Sequence, residues 1–402
     1  MRVVFLNPSG ELGGAETALL EMLAALRAAR PTWTLGVIAS ADGPLVERAS
    51  ADGARSFALK FPLSLARLGE WGRRGSMGAR VRFGAAIGGA AGPALLYASR
   101  LRHALNEFNP DIVHTNGLKM HLLGAHCRPA RSKLIWHLHD YPSSRPMTAA
   151  LLRAQSHRCA EVIANSKSVA KDTQAVLGSG IAVQAVYNAV DLDRFRPDGP
   201  VLDLDALAKL PPLPAGRLRI GLLGTFARWK GHDVFLRALA QTRNLADARA
   251  YIIGEPIYET AGSQFSMQEL KDLARAQGVA EVVGFTGRVH DVPGALRALD
   301  IVVHASVEPE PFGLVIAEAM ASARPVIVSH AGGAAEIAQA GALFHQPGNA
   351  ADLAARLSEL IADAPLRASL GAAGRAAAMR LFSRTHLSNS LVPIYEALVP
   401  AG

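Results

Sequence analysis

Apolar residues in this chain come in short, nearly unbroken runs, separated by longer stretches with helical spacing. In the first half the runs fall at 2–6, 35–40, 55–59, 111–115, 134–139, 161–166 and 183–188. Runs of Val, Ile and Leu without strict alternation mark strands buried on both faces. Helical stretches between them supply the crossovers of a parallel sheet. A doubly wound α/β domain is therefore expected. Pro197, Pro200, Pro211, Pro212 and Pro214 then interrupt the rhythm. It restarts at 219–224 and continues at 250–254, 282–287, 301–306, 326–329 and 342–345, predicting a second domain of the same kind. The expected division is 1–200, a linker at 201–217, and a second domain over 218–385.

One stretch of the second half carries chemistry: Glu310-Pro-Phe-Gly-Leu-Val-Ile-Ala-Glu318, between the apolar run at 301–306 and the break at Arg324-Pro325. It reads as strand, acidic loop, helix start. Pro311 suits a first helical turn, where no N–H is needed. Gly313 lets the backbone come close to a ligand. A helix opening near Gly313 aims free N–H groups and a partial positive charge outward, which is an anion site suited to phosphate. Glu318 lies four residues on from Leu314, on the same helical face. Glu310 precedes the helix. Phosphate flanked by two hydroxyl-reading carboxylates describes a nucleotide-sugar.

The chain has 402 residues, half of them apolar and about a fifth charged, which fits a globular protein with a large core. Its two cysteines, Cys127 and Cys159, make no disulfide framework, so a reducing cytoplasm is expected. The formal charge is +8. Aromatics are few and basic repeats are lacking, so nucleic acid is not an expected partner. The basic excess concentrates between Arg55 and Arg102, with Arg67, Arg73, Arg74, Arg80 and Arg82 among its members and Glu70 its sole acid. Such a patch is either a solvated surface or a face for anionic lipid or a phosphorylated acceptor. The uncharged segment 83–99 is short for a bilayer span and holds Pro93; a helix pair touching the membrane or capping an acceptor is expected instead.

Further motifs sit at strand ends. Gly13-Gly14-Ala15-Glu16 follows the first strand and opens an amphipathic helix over 17–26, without the spacing of a dinucleotide fingerprint. Trp136-His-Leu-His-Asp140 places His137 and His139 on one face of a strand. That pair is open to a metal, a sugar or a purely structural reading, and further ligands at recognisable spacing are not evident. Gly224-Thr-Phe-Ala-Arg-Trp-Lys-Gly231 opens the second domain with Arg228 and Lys230. A cation here can meet a diphosphate, gaining about 4 kcal/mol at 4 Å and an effective dielectric near 20 before desolvation.

Together these motifs resemble retaining glycosyltransferase family 4, with its Glu-x7-Glu signature, and the resemblance covers nearly the whole chain. It implies the GT-B fold: two doubly wound Rossmann-like domains facing across a cleft, with a last helix over 386–402 crossing back to the first domain. It implies a nucleoside-diphosphate-sugar donor, UDP- or GDP-linked, and a saccharide or lipid-linked acceptor, with no cofactor and no metal. By resemblance Glu318 holds the ribose and Glu310 the hexose hydroxyls. Lys230 and the N–H groups of Gly313, Leu314 and Val315 hold the diphosphate, and Phe312 lies in the same loop. Main chain near Val289 meets the base, Gly13 and Gly14 approach from the first domain, and His139 contacts the sugar. Thr225 stands where relatives carry arginine; either Arg228 takes over or the grip is weaker. Ala189 and Ala323 replace usual glycines, the latter with little expected effect. A cytoplasmic enzyme, in contact with the inner membrane face through the basic 55–102 region, is the implied setting. A nucleotide-sugar epimerase, a phosphorylase on the same architecture and a turnover-deficient sugar-nucleotide-binding protein are the alternatives.

Overall fold

The computed structural model describes residues 1–62, 77–257 and 262–400, with side chains described from residue 92 onward in the helix Met77–Phe108. Arg67, Arg73 and Arg74 of the basic region lie outside the described residues, as do the side chains of Arg80 and Arg82. The chain forms two compact units, Met1–Ala189 with Arg384–Gly402, and Val190–Ser383.

In the first unit all seven apolar runs are strands: β1 (Arg2–Asn7), β2 (Thr34–Ala39), β3 (Arg55–Ala58), β4 (Ile112–Asn116), β5 (Lys133–Leu138), β6 (Glu161–Ala164) and β7 (Val183–Ala185). They pair in parallel in the order β3-β2-β1-β4-β5-β6-β7. Helices on both faces bury them, which is why the runs are continuous rather than alternating. Val3 and Phe5 enter one hydrophobic cluster, Val4 and Leu6 the other. The C-terminal helix Arg384–Leu398 belongs to this unit. Its apolar stripe of Leu387, Leu391, Val392, Ile394 and Tyr395 is buried beside the helix Gly14–Ala29. Arg384 grips Glu21 with two nitrogens at 2.7 and 3.2 Å, and Tyr395 bonds His114 at 2.6 Å.

The second unit repeats the pattern with β8 (Leu218–Leu223), β9 (Ala248–Ile253), β10 (Val283–Gly287), β11 (Ile301–His304), β12 (Val326–Ser329) and β13 (Ala342–His345). The order is β10-β9-β8-β11-β12-β13, again parallel throughout. The expected linker is part of this unit, and so is the segment from Val190 to Pro200. Val190 donates to the Phe382 carbonyl at 2.8 Å, and Arg297 to that of Pro200 at 2.6 Å. Asp205, buried at 3% exposure, binds Arg219 at 2.8 Å and also Arg249 and Tyr251. The prolines break the strand rhythm, but charge pairing fixes the stretch to the second sheet.

Other expectations are corrected by the fold. Residues 83–99 fall within one continuous helix, Met77–Phe108, and the stretch before it, 63–76, lies outside the described residues. Among the described residues no helix is long and apolar enough to cross a membrane. Pro311 precedes the helix, which starts at Leu314. Ala323 has φ +55°, in the left-handed region, so its backbone carries a steric cost that glycine would not.

Candidate active site

Both sheets reverse direction of winding beside their first strand, between β1 and β4 and between β8 and β11. Ligands of doubly wound sheets bind at the carboxyl ends of strands at such a switch point. In the second unit Lys230 follows β8 and Glu310 follows β11, so the switch point brings together residues 80 positions apart. Lys230 Nζ donates to Glu310 Oε1 at 2.6 Å. The side chains are 17% and 10% exposed, so the pair is shielded from water. Glu310 Oε2 accepts from His304 Nε2 at 2.6 Å and from Ser306 Oγ at 3.0 Å. Burial alone would raise the Glu310 carboxyl, but the Lys230 ammonium and His304 outweigh it and hold it well below the usual carboxylate range. Its backbone is pinned as well: Glu310 forms a β-bridge with Gly332, and Ala334 N–H donates to its carbonyl at 3.3 Å.

Gly313 caps the helix Leu314–Ala321 at φ +87°. That left-handed turn is open to glycine, and a Cβ there would also come within 2.7 Å of Ile316. The N–H groups of Gly313, Leu314 and Val315 sit at the helix tip, where intrahelical acceptors do not reach. Glu318 is half-buried on this helix. Phe312 is 3% exposed and packs edge-on against Phe382, 5.7 Å between centroids. Its ring is core, so only its main chain can serve a ligand. Arg228 shares a 3-10 turn with Lys230 but points elsewhere, to Glu269 at 2.8 Å and over the Phe265 ring at 4.2 Å. Val289 is half-buried beyond a register shift at the end of β10, where Gly287 takes φ +71°.

In the first unit a chain of side chains spans its switch point. Gly13 N–H donates to Glu16 Oε2 at 3.1 Å, Asn7 Nδ2 to Glu16 Oε1 at 3.0 Å, and Asn116 Nδ2 to Asn7 Oδ1 at 3.4 Å. His139 Nε2 donates to Asn116 Oδ1 at 3.3 Å. Thus Gly13 and His139 belong to one network, while Gly14 is exposed. Burial outweighs Asp140 and lowers His139 to about 4, leaving it a neutral donor. His137 is 1% exposed, and its ring lies tilted at 38° against that of His139, 4.1 Å between centroids. Among the described residues no three His, Cys, Asp or Glu side chains are placed to hold a metal. A cavity of about 520 Å³ lies at the ends of β1 and β2, lined in part by Ser9, Glu11, Asp42, Lys60, Phe61 and Lys119.

Sequence reasoning missed Asn7 and Ser306, and it did not single out His304 or Asn116. Each is a polar residue at or just past the end of an otherwise apolar strand, and that was the available signal.

Two family models match the chain. Residues 12–194 match "Glycosyltransferase Family 4" and residues 217–363 match "Glycosyl transferases group 1". Among curated proteins, D-inositol 3-phosphate glycosyltransferase of Corynebacterium jeikeium is 31% identical over 230 residues, 55% of this chain and 53% of that protein. N-acetyl-alpha-D-glucosaminyl L-malate synthase of Bacillus anthracis is 24% identical over 76% of this chain and 78% of its own. The chain thus spans about half the length of the first of these relatives. Among solved structures, HepE of Anabaena in complex with UDP-glucose aligns over 99% of this chain and 100% of its own, with TM-score 0.77 and 24% identity. Sucrose-phosphate synthase of Thermosynechococcus elongatus covers 100% of both chains, with TM-score 0.77 and 19% identity. Each unit has the doubly wound sheet of a GT-B domain, the matched models run through both units, and the chain belongs to the family 4 glycosyltransferases.

Proposed function

We propose that this protein is a retaining glycosyltransferase, moving a hexose-type sugar from a nucleoside-diphosphate donor to a hydroxyl acceptor, in the making of a cell-surface polysaccharide or glycoconjugate. The observation that carries this reading is the Lys230–Glu310 contact beside the tip of the Gly313-capped helix. A half-buried cation, a buried carboxylate and the N–H groups of a helix tip suit a diphosphate next to a sugar. Lys230 and the helix tip would stabilise charge on the departing diphosphate with donors already in place. Glu310 would orient the hexose and Glu318 the ribose, with main chain near Val289 against the base. From the first unit, Gly13, Gly14 and the neutral donor His139 are the groups we assign to the sugar. Arg228, held by Glu269, is not assigned to the phosphate. HepE is seen with UDP and with UDP-glucose, which favours UDP-linked sugars as the first donors to try.

No cofactor or metal enters this reading, and turnover is expected to survive EDTA. The acceptor would be a saccharide or a lipid-linked one. Leu95 and Leu96, 73% and 56% exposed on the helix that also carries Arg100, support a membrane-facing side and a cytoplasmic enzyme at the inner leaflet. Calorimetry tests the donor site: Glu318→Ala removes charged hydrogen bonds of about 1.5–3 kcal/mol each, so donor affinity should fall at least tenfold. Unchanged affinity would remove Glu318 from the site. Release of nucleoside diphosphate only with acceptor present separates a transferase from an epimerase or a turnover-deficient binder.

A further inference from the structure

Glu310 is held unevenly. Lys230 takes Oε1, while His304 and Ser306 both take Oε2. His304 Nε2 also lies 3.0 Å from Ser306 Oγ, closing a triangle of three polar groups. All three residues are buried: His304 is 5% exposed, Ser306 0% and Glu310 8%. His304 Nδ1 is buried with no hydrogen-bond partner among the described residues. With a proton on Nε2 the ring donates to the carboxylate. The strand beneath is fixed too. His345 Nε2, at the end of β13, reaches over β12 to the His304 carbonyl at 3.1 Å.

A lysine ammonium is mobile on its four-carbon stem, whereas His304 and Ser306 are rooted at the end of β11 and just past it. Resting on the reading above, in which Lys230 serves the diphosphate, the Lys230 contact is the one a donor exchanges. The Oε2 contacts are the ones that stay. We propose that His304 and Ser306 are positioning residues that clamp Glu310 by Oε2 and so present Oε1, the edge now held by Lys230, to a hydroxyl of the donor sugar. Neither residue touches the donor; each acts through the Glu310 carboxylate.

The test compares UDP with UDP-glucose, and GDP with GDP-mannose, by calorimetry on the full chain, so that the contribution of the sugar is read separately from that of the nucleotide. For the pair that wild type prefers, His304→Ala should lower nucleotide-sugar affinity at least tenfold and leave nucleoside diphosphate affinity within about twofold, as loss of one charge-assisted hydrogen bond implies. His304→Gln, whose amide N–H can replace Nε2–H, should recover most of the loss. Ser306→Ala should show the same selectivity more weakly and remains informative if His304→Ala does not fold. Equal losses for nucleotide and nucleotide-sugar would reduce the triangle to a structural role and overturn the proposal. So would an unchanged His304→Ala. If Glu310→Gln loses the sugar-dependent affinity while His304→Ala and Ser306→Ala keep it, the proposal falls and the functional reading stands. If Glu310→Gln also keeps it, or wild type binds neither pair, both fall.

Discussion

Lys230→Met removes the cation opposite Glu310 and keeps most of the side-chain volume. Lys230 Nζ and Glu310 Oε1 are 2.6 Å apart with side chains 17% and 10% exposed, so solvent does little to replace the lost bond. Taking one partner from a buried pair costs about 3–5 kcal/mol, because a buried charge is left uncompensated. Here Oε2 keeps His304 and Ser306, which puts the expectation near the lower end, about 3 kcal/mol. For a unit of this size that is a fall of roughly 6–12 °C in its melting temperature. Glu310→Gln should relieve the variant, so the double mutant should lose less than the sum of the two single losses, by at least about 1 kcal/mol. The pH dependence has a definite sign. Glu310 is held below its unfolded value, so its contribution is present above about pH 4.3 and fades as pH falls through the folded value. The gap between wild type and Lys230→Met should therefore be widest near neutrality and narrow in acid. Melts across pH on the four proteins of the cycle would decide it. Additive losses, or an unshifted melt for Lys230→Met, would refute the coupling.

Three other perturbations test separate parts of the structure. A Cβ on Gly14 meets nothing within 4 Å, so Gly14→Ala should melt like wild type yet lose transfer activity if the ligand approaches there; full activity would exclude that approach. Ala323→Gly relieves a left-handed alanine at φ +55° and should raise stability by up to about 1 kcal/mol in urea denaturation, after the entropy glycine adds to the unfolded chain. The first unit should be the more acid-labile. Burial lowers His114 and His121 to about 3, lowers His139 to about 4 and holds His137 well below its ordinary value. Their folded values lie below the unfolded one, so stability is full above about pH 6.5 and falls with acidification, by about 2 kcal/mol per histidine at pH 5. Burial likewise lowers His232 and His345 in the second unit, which gives it fewer such groups. Hydrogen exchange followed by mass spectrometry should show the first unit opening first; simultaneous or reversed opening would refute this.

The exposed Lys60–Asp42 pair, beside the cavity at the ends of β1 and β2, carries little energy of its own, since screened surface pairs contribute about 0–1 kcal/mol. The Asp205 cluster is different in kind. It is buried, multiply bonded, and ties the proline-rich stretch to the second sheet. It fixes the expected linker to the second sheet.

What the sequence determined by itself is what local chemistry dictates. Burial on both faces forces unbroken Val, Ile and Leu runs, so all thirteen strands among the described residues were legible. The helix opening near Gly313 was legible too, whereas the left-handed turn that glycine takes there was not. The last helix was expected from the family resemblance, not from its stripe. What only the tertiary structure decided is which distant groups meet. Glu310 is drawn to Lys230 across 80 residues because their strands are neighbours at the switch point of the sheet. Arg228, two residues from Lys230, turns to Glu269 instead. His304 looked like the polar end of an apolar strand until the fold put it against a carboxylate. Periodicity fixes which face a residue takes, but a hydrogen bond between strand ends depends on sheet order, and sheet order is set by packing of the whole unit.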